Sequence, residues 1–257
     1  MLTSNPFAAL SASISPAVMQ TYAVVMIVLV AAGTLIEVVH KGSAKYFFEN
    51  WRKSKSKGSK QVGGGKLVSI AIQTGIVDVL ASGEFCNARR RIAHLFTMYG
   101  FVIYVVTTAI MIFSYPTPAT PTPAILPQLW WLGGLMACFG GYWFWFFIRV
   151  DVLAEGNSPF RVVRADLFIL SLLASVTLGL IWAAAGAGVG VLFGLYVIAT
   201  TVLFGSVTWS KFAHMFFKPA AAFEKRVSYA NDTRSNLPAP ADKPETFGIA
   251  RGQPRHY

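Results

Sequence analysis

Long apolar runs constrain this chain more than any other feature of its sequence. Several of them reach about 20 residues, the length that a helix needs to cross a hydrocarbon core of roughly 30 Å. Charged residues make up 13% of the 257 residues, whereas soluble domains carry about 25%. The sequence therefore predicts an all-α membrane protein with five transmembrane helices: Ala17–Val39, Ile92–Phe113, Leu129–Ile148, Ala165–Ala184 and Val189–Trp209.

The positive charges lie on one side of this predicted map. Of the 22 Lys and Arg, eleven lie in 41–91, three in 149–164 and eight in 211–255, and the other connecting segments hold none. By the positive-inside rule, the N-terminus is outside and the C-terminus is cytoplasmic. We expect a multi-pass protein of a bacterial inner membrane. Its first span should be retained, because the N-terminus lacks the positive region of a cleavable signal peptide.

The same boundaries predict three parts. Residues 1–16 form a periplasmic N-terminal tail, residues 17–225 form the five-helix membrane domain with its cytoplasmic loop 41–91, and residues 226–257 form a polar, disordered cytoplasmic tail. Within the loop, we expect KYFFENWRKSKSKGSKQVGGGK to be flexible and LVSIAIQTGIVDVLASGEF to form an amphipathic helix lying in the membrane interface. Anionic lipid headgroups and a cytoplasmic protein are both candidate partners of the basic loop.

Few residues carry recognisable chemistry. Cys86 and Cys138 cannot form a disulfide scaffold or a four-cysteine metal site. No nucleotide-binding, zinc-protease or serine-nucleophile motif occurs, and we expect no nucleic acid partner. Spans with almost no buried charge and no broken-helix pair are unlike those of a small-molecule transporter. The Gly133-Gly134 and Gly140-Gly141 pairs predict close helix packing.

Three of the four histidines lie at the inner membrane boundary in this topology. His40 ends the first span, His94 opens the second within CNARRRIAHLFTMYGF, and His214 follows the fifth within WSKFAHMFFKP. We expect this last segment to extend the fifth helix by about a turn, until Pro219 stops it. His94 and His214 would then lie at similar depth on two antiparallel helices.

This placement allows three interpretations of the histidines. Two histidines on separate helices can ligate haem iron from opposite faces. The haem propionates could then pair with Arg89, Arg90, Arg91 and Lys211. An interfacial histidine without a ligand role is the second interpretation, and a lipid-headgroup anchor beside the arginines is the third. Residue spacing does not decide among them.

The two histidine segments resemble the membrane subunits of the respiratory nitrate reductase gamma type. They are more similar to relatives in dissimilatory sulfur metabolism: the membrane subunits of the quinone-interacting membrane-bound oxidoreductase and of the sulfite-reductase-associated complex, and the membrane anchor of adenylylsulfate reductase in sulfur oxidisers. The resemblance covers Ala17 to Lys225. It is most specific at Arg-Arg-x-x-His, ending at His94, and at Ser-Lys-x-x-His-Met-x-x-x-Pro, around His214. The chain length and the lack of an attached iron–sulfur domain favour the adenylylsulfate reductase anchor.

The resemblance implies a specific haem pattern. Many members of the family hold two b haems, each ligated by one histidine of helix 2 and one of helix 5. His94 and His214 match the inner-face pair, whereas the outer-face pair is missing and Tyr104 and Tyr196 occur in those regions. Tyrosine can ligate haem iron, but a buried, hydrogen-bonded tyrosine is the expected role here. The implied cofactor is therefore haem b, at most one per chain.

The implied function is electron transfer in a membrane complex. The chain would dock a cytoplasmic flavin and iron–sulfur enzyme of the adenylylsulfate reductase type and pass electrons from sulfite oxidation to membrane quinone. It would perform no sulfur-substrate chemistry of its own. A haem-free structural anchor that recruits the same type of enzyme is the alternative.

Two further residues are candidates for proton uptake at a quinone site. Glu37 and His40 are spaced by about one helical turn near the inner boundary, where an acid can serve quinone chemistry. The alternative is a hydrated Glu37 paired with Lys41. Asp166, at the start of the fourth span, suits the helix dipole without any function.

Overall fold

The computed structural model describes residues 2–40, 43–83, 85, 87–149, 162–208 and 214–233, and within these ranges it is helical and has no strand. The chain divides into two compact units. Unit 1 comprises Met1–Thr34 and Arg89–Phe212, and unit 2 comprises Leu35–Ala88 and Ala213–Tyr257. The predicted all-α class is confirmed for the described residues.

The helices follow one another with short connections. In chain order they are α1 Pro6–Ala9, α2 Pro16–His40, α3 Ser43–Lys57, α4 Gly64–Gln73, α5 Ala88–Ser114, α6 Ile125–Trp143, α7 Leu167–Ala184, α8 Val191–Gly205 and α9 His214–Ala230. Two helices continue as π-helical segments, α4 over Thr74–Leu80 and α6 over Phe144–Ile148. Short 3₁₀ turns cover Leu10–Ala12, after α1, and Arg164–Asp166, before α7.

Four of these helices are long and apolar enough to cross a membrane: α2, α5, α6 with its π extension, and α7. They coincide with the first four predicted spans and are the helices of a multi-pass membrane protein. The helix α6 begins at Ile125, four residues before the predicted Leu129. Pro127 is compatible with this start because a helix tolerates proline in its first turn.

The fifth predicted span is shorter than expected. Helix α8 has 15 residues and ends at Gly205, whereas the prediction extended to Trp209. At 1.5 Å per residue, such a helix covers about 22 Å, less than the hydrocarbon core. The chain turns at Ser206–Thr208, and Trp209 lies outside the described residues.

Close approach of α5 and α6 organises unit 1. A Cβ atom added to Gly133 would lie 2.8 Å from the carbonyl oxygen of Gly100, and one added to Gly140 would lie 2.5 Å from the carbonyl oxygen of Ala93. On the neighbouring face of α6, Gly134 and Gly141 contact leucine side chains of α7. The predicted role of both glycine pairs in helix packing is confirmed.

Unit 2 corrects the prediction of a flexible basic segment. Residues 45–57 of this segment belong to α3, because its aromatic side packs against α9, whereas residues 58–63 are not helical. The Trp51 ring stacks on Phe223 with centroids 5.7 Å apart. One turn further, the Asn231 side-chain amide donates to the hydroxyl oxygen of buried Ser54 over 2.7 Å. Tertiary packing therefore outweighs the high charge of the segment.

The proline and the tail boundary were also predicted wrongly. Helix α9 passes through Pro219, which was expected to stop a helix, and continues beyond Arg226 to Ala230. Pro219 is the sixth residue of α9, so the missing N–H removes one hydrogen bond near the start of the helix. Residues 234–257 of the predicted tail lie outside the described residues.

Candidate functional site

His94 is the predicted haem ligand whose surroundings are described. It lies in the second turn of α5 and is half-buried, as are Arg90 and Arg91 just before it. Its neighbour Ala93 is fully buried, and Thr97 donates to the Ala93 carbonyl oxygen over 2.9 Å. Because Gly140 of α6 lies against this same turn, the backbone that carries the imidazole is fixed by helix packing.

The structure does not place His214 or Lys211 relative to His94. His214 is the first residue of α9 in unit 2, and its side chain lies outside the described residues, as does Lys211. His94 belongs to unit 1. The ligand pair and the propionate contacts therefore stay predictions.

Glu37 and His40 lie in the last turns of α2, in the part that belongs to unit 2. Glu37 is buried, whereas His40 is exposed. The predicted alternative partner of Glu37, Lys41, lies outside the described residues. The structure thus gives the two candidates different environments, and their role in proton uptake stays a prediction.

The two tyrosines of the predicted outer region meet inside unit 1. Tyr104 on α5 and Tyr196 on α8 are both buried, and the Tyr104 hydroxyl donates to the Tyr196 hydroxyl over 3.3 Å. Gly179 on α7 lies directly against the Tyr104 hydroxyl. Each phenol therefore has the buried, hydrogen-bonded role that the sequence suggested.

Indole rings enclose this pair on both sides. Trp130 stacks on Tyr104 with centroids 4.9 Å apart, and Trp182 stacks on Tyr196 at 5.6 Å. Both indole N–H groups are satisfied, one by Thr108 and the other by the Gly188 carbonyl oxygen, each over 2.9 Å. These stacked rings fill the space beside both phenols, so the region does not fit a haem macrocycle ligated by the two tyrosines.

The N-terminal segment completes the aromatic core, which the sequence did not suggest. Phe7 of α1 is buried and contacts Trp130 and Trp182, with centroid distances of 5.9 and 5.6 Å. Asn5 caps α1 by accepting from the Phe7 and Ala8 amides, and it donates to the Tyr115 carbonyl oxygen. The predicted periplasmic tail is thus a folded part of unit 1. The signal for it was the Asn-Pro-Phe sequence, since asparagine followed by proline is a common helix start.

A buried ion pair joins the ends of α6 and α7. Arg149 donates through Nε and Nη2 to the two carboxylate oxygens of Asp166, and its guanidinium lies 4.0 Å from the centroid of the Trp145 ring. Asp166 also accepts from the Val163 amide. The sequence predicted only a helix-dipole role for Asp166 and did not predict its ion pair with Arg149. Opposite charges at the facing ends of two consecutive spans were the available signal.

A second bidentate ion pair holds α9 to the π segment of α4 in unit 2. Arg226 donates to both carboxylate oxygens of Asp78, with distances of 2.6 and 3.0 Å. The hydrogen bonds to Asp78 raise the pKa of the Arg226 guanidinium further above its ordinary value. The pair therefore fixes the position of α4, the helix that was predicted to lie in the membrane interface.

Comparison with known proteins identifies no relative. No family model, no curated protein and no solved structure matches the chain. Among the described residues, no group of three or more His, Cys, Asp or Glu side chains comes together to hold a metal ion. Any functional conclusion therefore depends on the chain's own helices and side chains.

Proposed function

We propose that this chain is the membrane subunit of an electron-transfer complex. It docks a cytoplasmic flavin and iron–sulfur enzyme of the adenylylsulfate reductase type and passes electrons from sulfite oxidation to membrane quinone. The sulfur chemistry belongs to the docked enzyme. One b-type haem, held by His94 and His214, supplies a one-electron carrier between the enzyme and quinone.

The observation that carries the proposal is the position of His94. A half-buried imidazole near the start of a membrane-length helix, within one turn of three consecutive arginines in the sequence, suits a cofactor with an apolar macrocycle and two carboxylates. His94 and His214 would ligate the iron, and Arg90, Arg91 and Lys211 would hold the propionates. The packed turn around Ala93 limits movement of the backbone that carries His94, which favours a redox group whose ligation changes little between states.

The aromatic core supports a single carrier on the inner side. Tyr104 and Tyr196 bond to each other and are enclosed by indole rings. No second haem is proposed there, and electrons are not carried across the bilayer. Glu37 and His40 are the proposed proton-uptake residues near the quinone.

The proposed membrane arrangement goes beyond the four membrane-length helices. We take the segment predicted as Val189–Trp209, which contains α8, as the fifth span in a bacterial cytoplasmic membrane. The N-terminus is then periplasmic and unit 2 is cytoplasmic. The one-sided distribution of all 22 Lys and Arg supports this orientation. In it, α4 is the interfacial helix of the first cytoplasmic loop.

A haem-free anchor is the second candidate function. Unit 2 has its own buried contacts between α3, α4 and α9, and these do not need a cofactor. The exposed cations of α3, such as Lys53 and Lys57, can recruit an acidic enzyme surface by themselves. Bound haem separates the two candidates.

The first experiment is a dithionite-reduced minus oxidised visible spectrum of the protein purified in mild detergent from a haem-replete host. A b-type band at roughly 560 nm, with about one haem per chain, supports the electron-transfer function. His94→Ala and His214→Ala should each abolish the band while the protein still inserts. His40→Ala and His256→Ala are the matched controls and should keep it.

Two outcomes would contradict the proposal in different ways. A flat spectrum from folded protein that still binds its enzyme leaves the haem-free anchor. A band that is lost in His40→Ala but retained in His214→Ala refutes the ligand assignment and keeps the cofactor.

A further inference from the structure

In the described part of unit 2, a continuous apolar stripe on α4 is exposed. Val68, Ile72, Ile76 and Leu80 are each more than half exposed. They recur every four residues along α4 and its π extension. Four aliphatic side chains in register over about three turns form a long apolar surface, which soluble proteins rarely leave open to water.

The π-helical segment keeps these four side chains in line. In an α-helix, a four-residue repeat drifts by about 40° at each step, so the fourth member would lie about 120° from the first. The i→i+5 bonding of a π-helix rotates the chain less per residue. Because the segment Thr74–Leu80 is π-helical, Ile76 and Leu80 stay on the face of Val68 and Ile72.

The opposite face of α4 is already occupied within unit 2. Ile70 and Thr74 are buried there, and Asp78 holds Arg226 of α9 in the bidentate pair. The contacts on this face hold α4 in place, so the apolar stripe keeps a fixed orientation within unit 2.

Only a short stretch of chain connects α4 to a membrane-length helix. Eight residue steps separate Leu80 from Ala88, the first residue of the membrane-length helix α5. Fully extended, they span at most about 28 Å. The backbone folds back at once after the helix, where the Gly83 amide donates to the Val77 carbonyl oxygen over 2.7 Å, so the true reach is shorter.

The charge of the surrounding segment indicates the kind of membrane surface. Residues 41–88 carry eight Lys and Arg but only three acidic residues. Asp78 is paired with Arg226, and Glu49 lies 3.9 Å from Lys45. Exposed cations beside an inserted apolar face are the combination by which amphipathic helices bind anionic lipids.

We propose that the stripe of Val68, Ile72, Ile76 and Leu80 is a binding surface for an anionic phospholipid leaflet, with the four side chains inserted at the boundary between headgroups and acyl chains. This inference deepens the interfacial placement of α4 in the proposed function, because it assigns the inserted residues and the lipid class. It requires neither haem nor a docked enzyme.

The test uses the full chain with Ser in place of Cys86 and Cys138, reconstituted into bilayers of phosphatidylcholine alone or mixed with phosphatidylglycerol. A nitroxide is attached to Ile72→Cys on the stripe. Gln73→Cys, one residue further and also exposed, is the matched control. Collision rates with oxygen, which concentrates in lipid, and with a water-soluble nickel chelate are then measured by electron paramagnetic resonance.

The proposal expects the label at position 72 to collide mainly with oxygen in the anionic bilayers and to become more accessible to nickel in the neutral ones. The label at position 73 should favour nickel in both. A label at 72 that is equally inserted in both bilayers overturns the lipid class. One that favours nickel in both overturns insertion, and one shielded from both reagents shows that protein covers the stripe.

Failure of this test is distinguishable from failure of the proposed function. The bilayers contain no partner enzyme, and the labelled positions lie outside the haem-ligand segments. Insertion without any haem band supports the lipid surface and the haem-free anchor together. A haem band without insertion at position 72 overturns the lipid surface alone.

Discussion

Replacing Gly140 by alanine tests the packing that holds the turn of His94. The added Cβ would lie 2.5 Å from the Ala93 carbonyl oxygen and 2.7 Å from the Thr97 amide nitrogen. Both are backbone atoms of α5, so neither can rotate away. Ordinary carbon contacts begin near 3.5 Å, and α5 and α6 must therefore separate locally by roughly 1 Å. Overpacking of this kind costs about 1–3 kcal/mol.

The assay is a reversible unfolding titration with sodium dodecyl sulfate in mixed micelles, followed by tryptophan fluorescence. Gly194→Ala is the matched control, because nothing lies within 4 Å of the added Cβ on α8. It should leave stability unchanged or raise it by up to about 1 kcal/mol, since alanine is the better helix former.

The same pair of variants has a functional readout. If His94 ligates haem, Gly140→Ala should lower haem occupancy or shift the absorption band, whereas Gly194→Ala should change neither. Equal stability of Gly140→Ala and wild type would refute the packing argument. Lower stability with an unchanged band would show that the turn of His94 is irrelevant to the cofactor.

Three further predictions concern the aromatic core and unit 2. Tyr104→Phe removes the hydroxyl that donates to Tyr196 and should cost about 0.5–1.5 kcal/mol in the same titration, with any haem band unchanged. Phe7→Ala removes a buried ring between two indoles and should cost about 3–5 kcal/mol, seen in the titration as an earlier fluorescence change. Asp78→Asn should weaken the contact of α4 with α9 by about 1.5–3 kcal/mol and accelerate limited tryptic cleavage after Arg226.

Controls accompany the last two of these variants. Leu2→Ala changes an exposed side chain in the same N-terminal segment and should leave the titration unchanged. Asp232→Asn removes the exposed partner of Lys60, a pair that contributes little, so tryptic cleavage after Arg226 should not accelerate. A Tyr104→Phe variant that loses the haem band would contradict the assignment of Tyr104 to the core.

The ion pair on α9 also sets a pH expectation. A raised pKa means that the folded state keeps the Arg226 proton more firmly than the unfolded state does, and this stabilisation disappears only as pH rises through that raised pKa. The ordinary guanidinium value already lies above about 12. Tryptic cleavage after Arg226, corrected for the pH profile of trypsin, should therefore not accelerate between pH 7 and about 10. An increase in this range would contradict the pairing.

Apolar run length predicted the membrane helices well, because crossing a bilayer imposes one length and one composition on every span. The glycine pairs of α6 likewise predicted close helix packing, since small residues are needed where helix backbones approach each other. Burial of Tyr104 and Tyr196 followed from their position inside apolar runs. Their mutual hydrogen bond did not, because it depends on how α5 and α8 are rotated about their axes.

Unit 2 was less predictable for a physical reason. The segment of α3 reads as a solvated charge run, and its helix depends on Trp51 meeting Phe223 from a helix more than 150 residues away in the chain. Pro219 was taken as a helix end, whereas its position near the start of α9 makes it tolerable. The ion pair of Asp78 with Arg226 is likewise long-range in sequence, and the sequence did not indicate that these two charges meet.

Two regions of unit 1 differ in how readily they could hold the proposed electron carrier. The core around Tyr104 and Tyr196 is packed with rings whose polar atoms bond to one another, to the Thr108 hydroxyl or to the backbone, so a carrier placed there would have to displace a satisfied network. By contrast, the second turn of α5 carries a half-buried imidazole beside cations. A one-electron carrier is therefore least costly to accommodate at that end of α5. In the proposed function, quinone would therefore accept electrons at the same end of α5, because electron transfer slows steeply with distance.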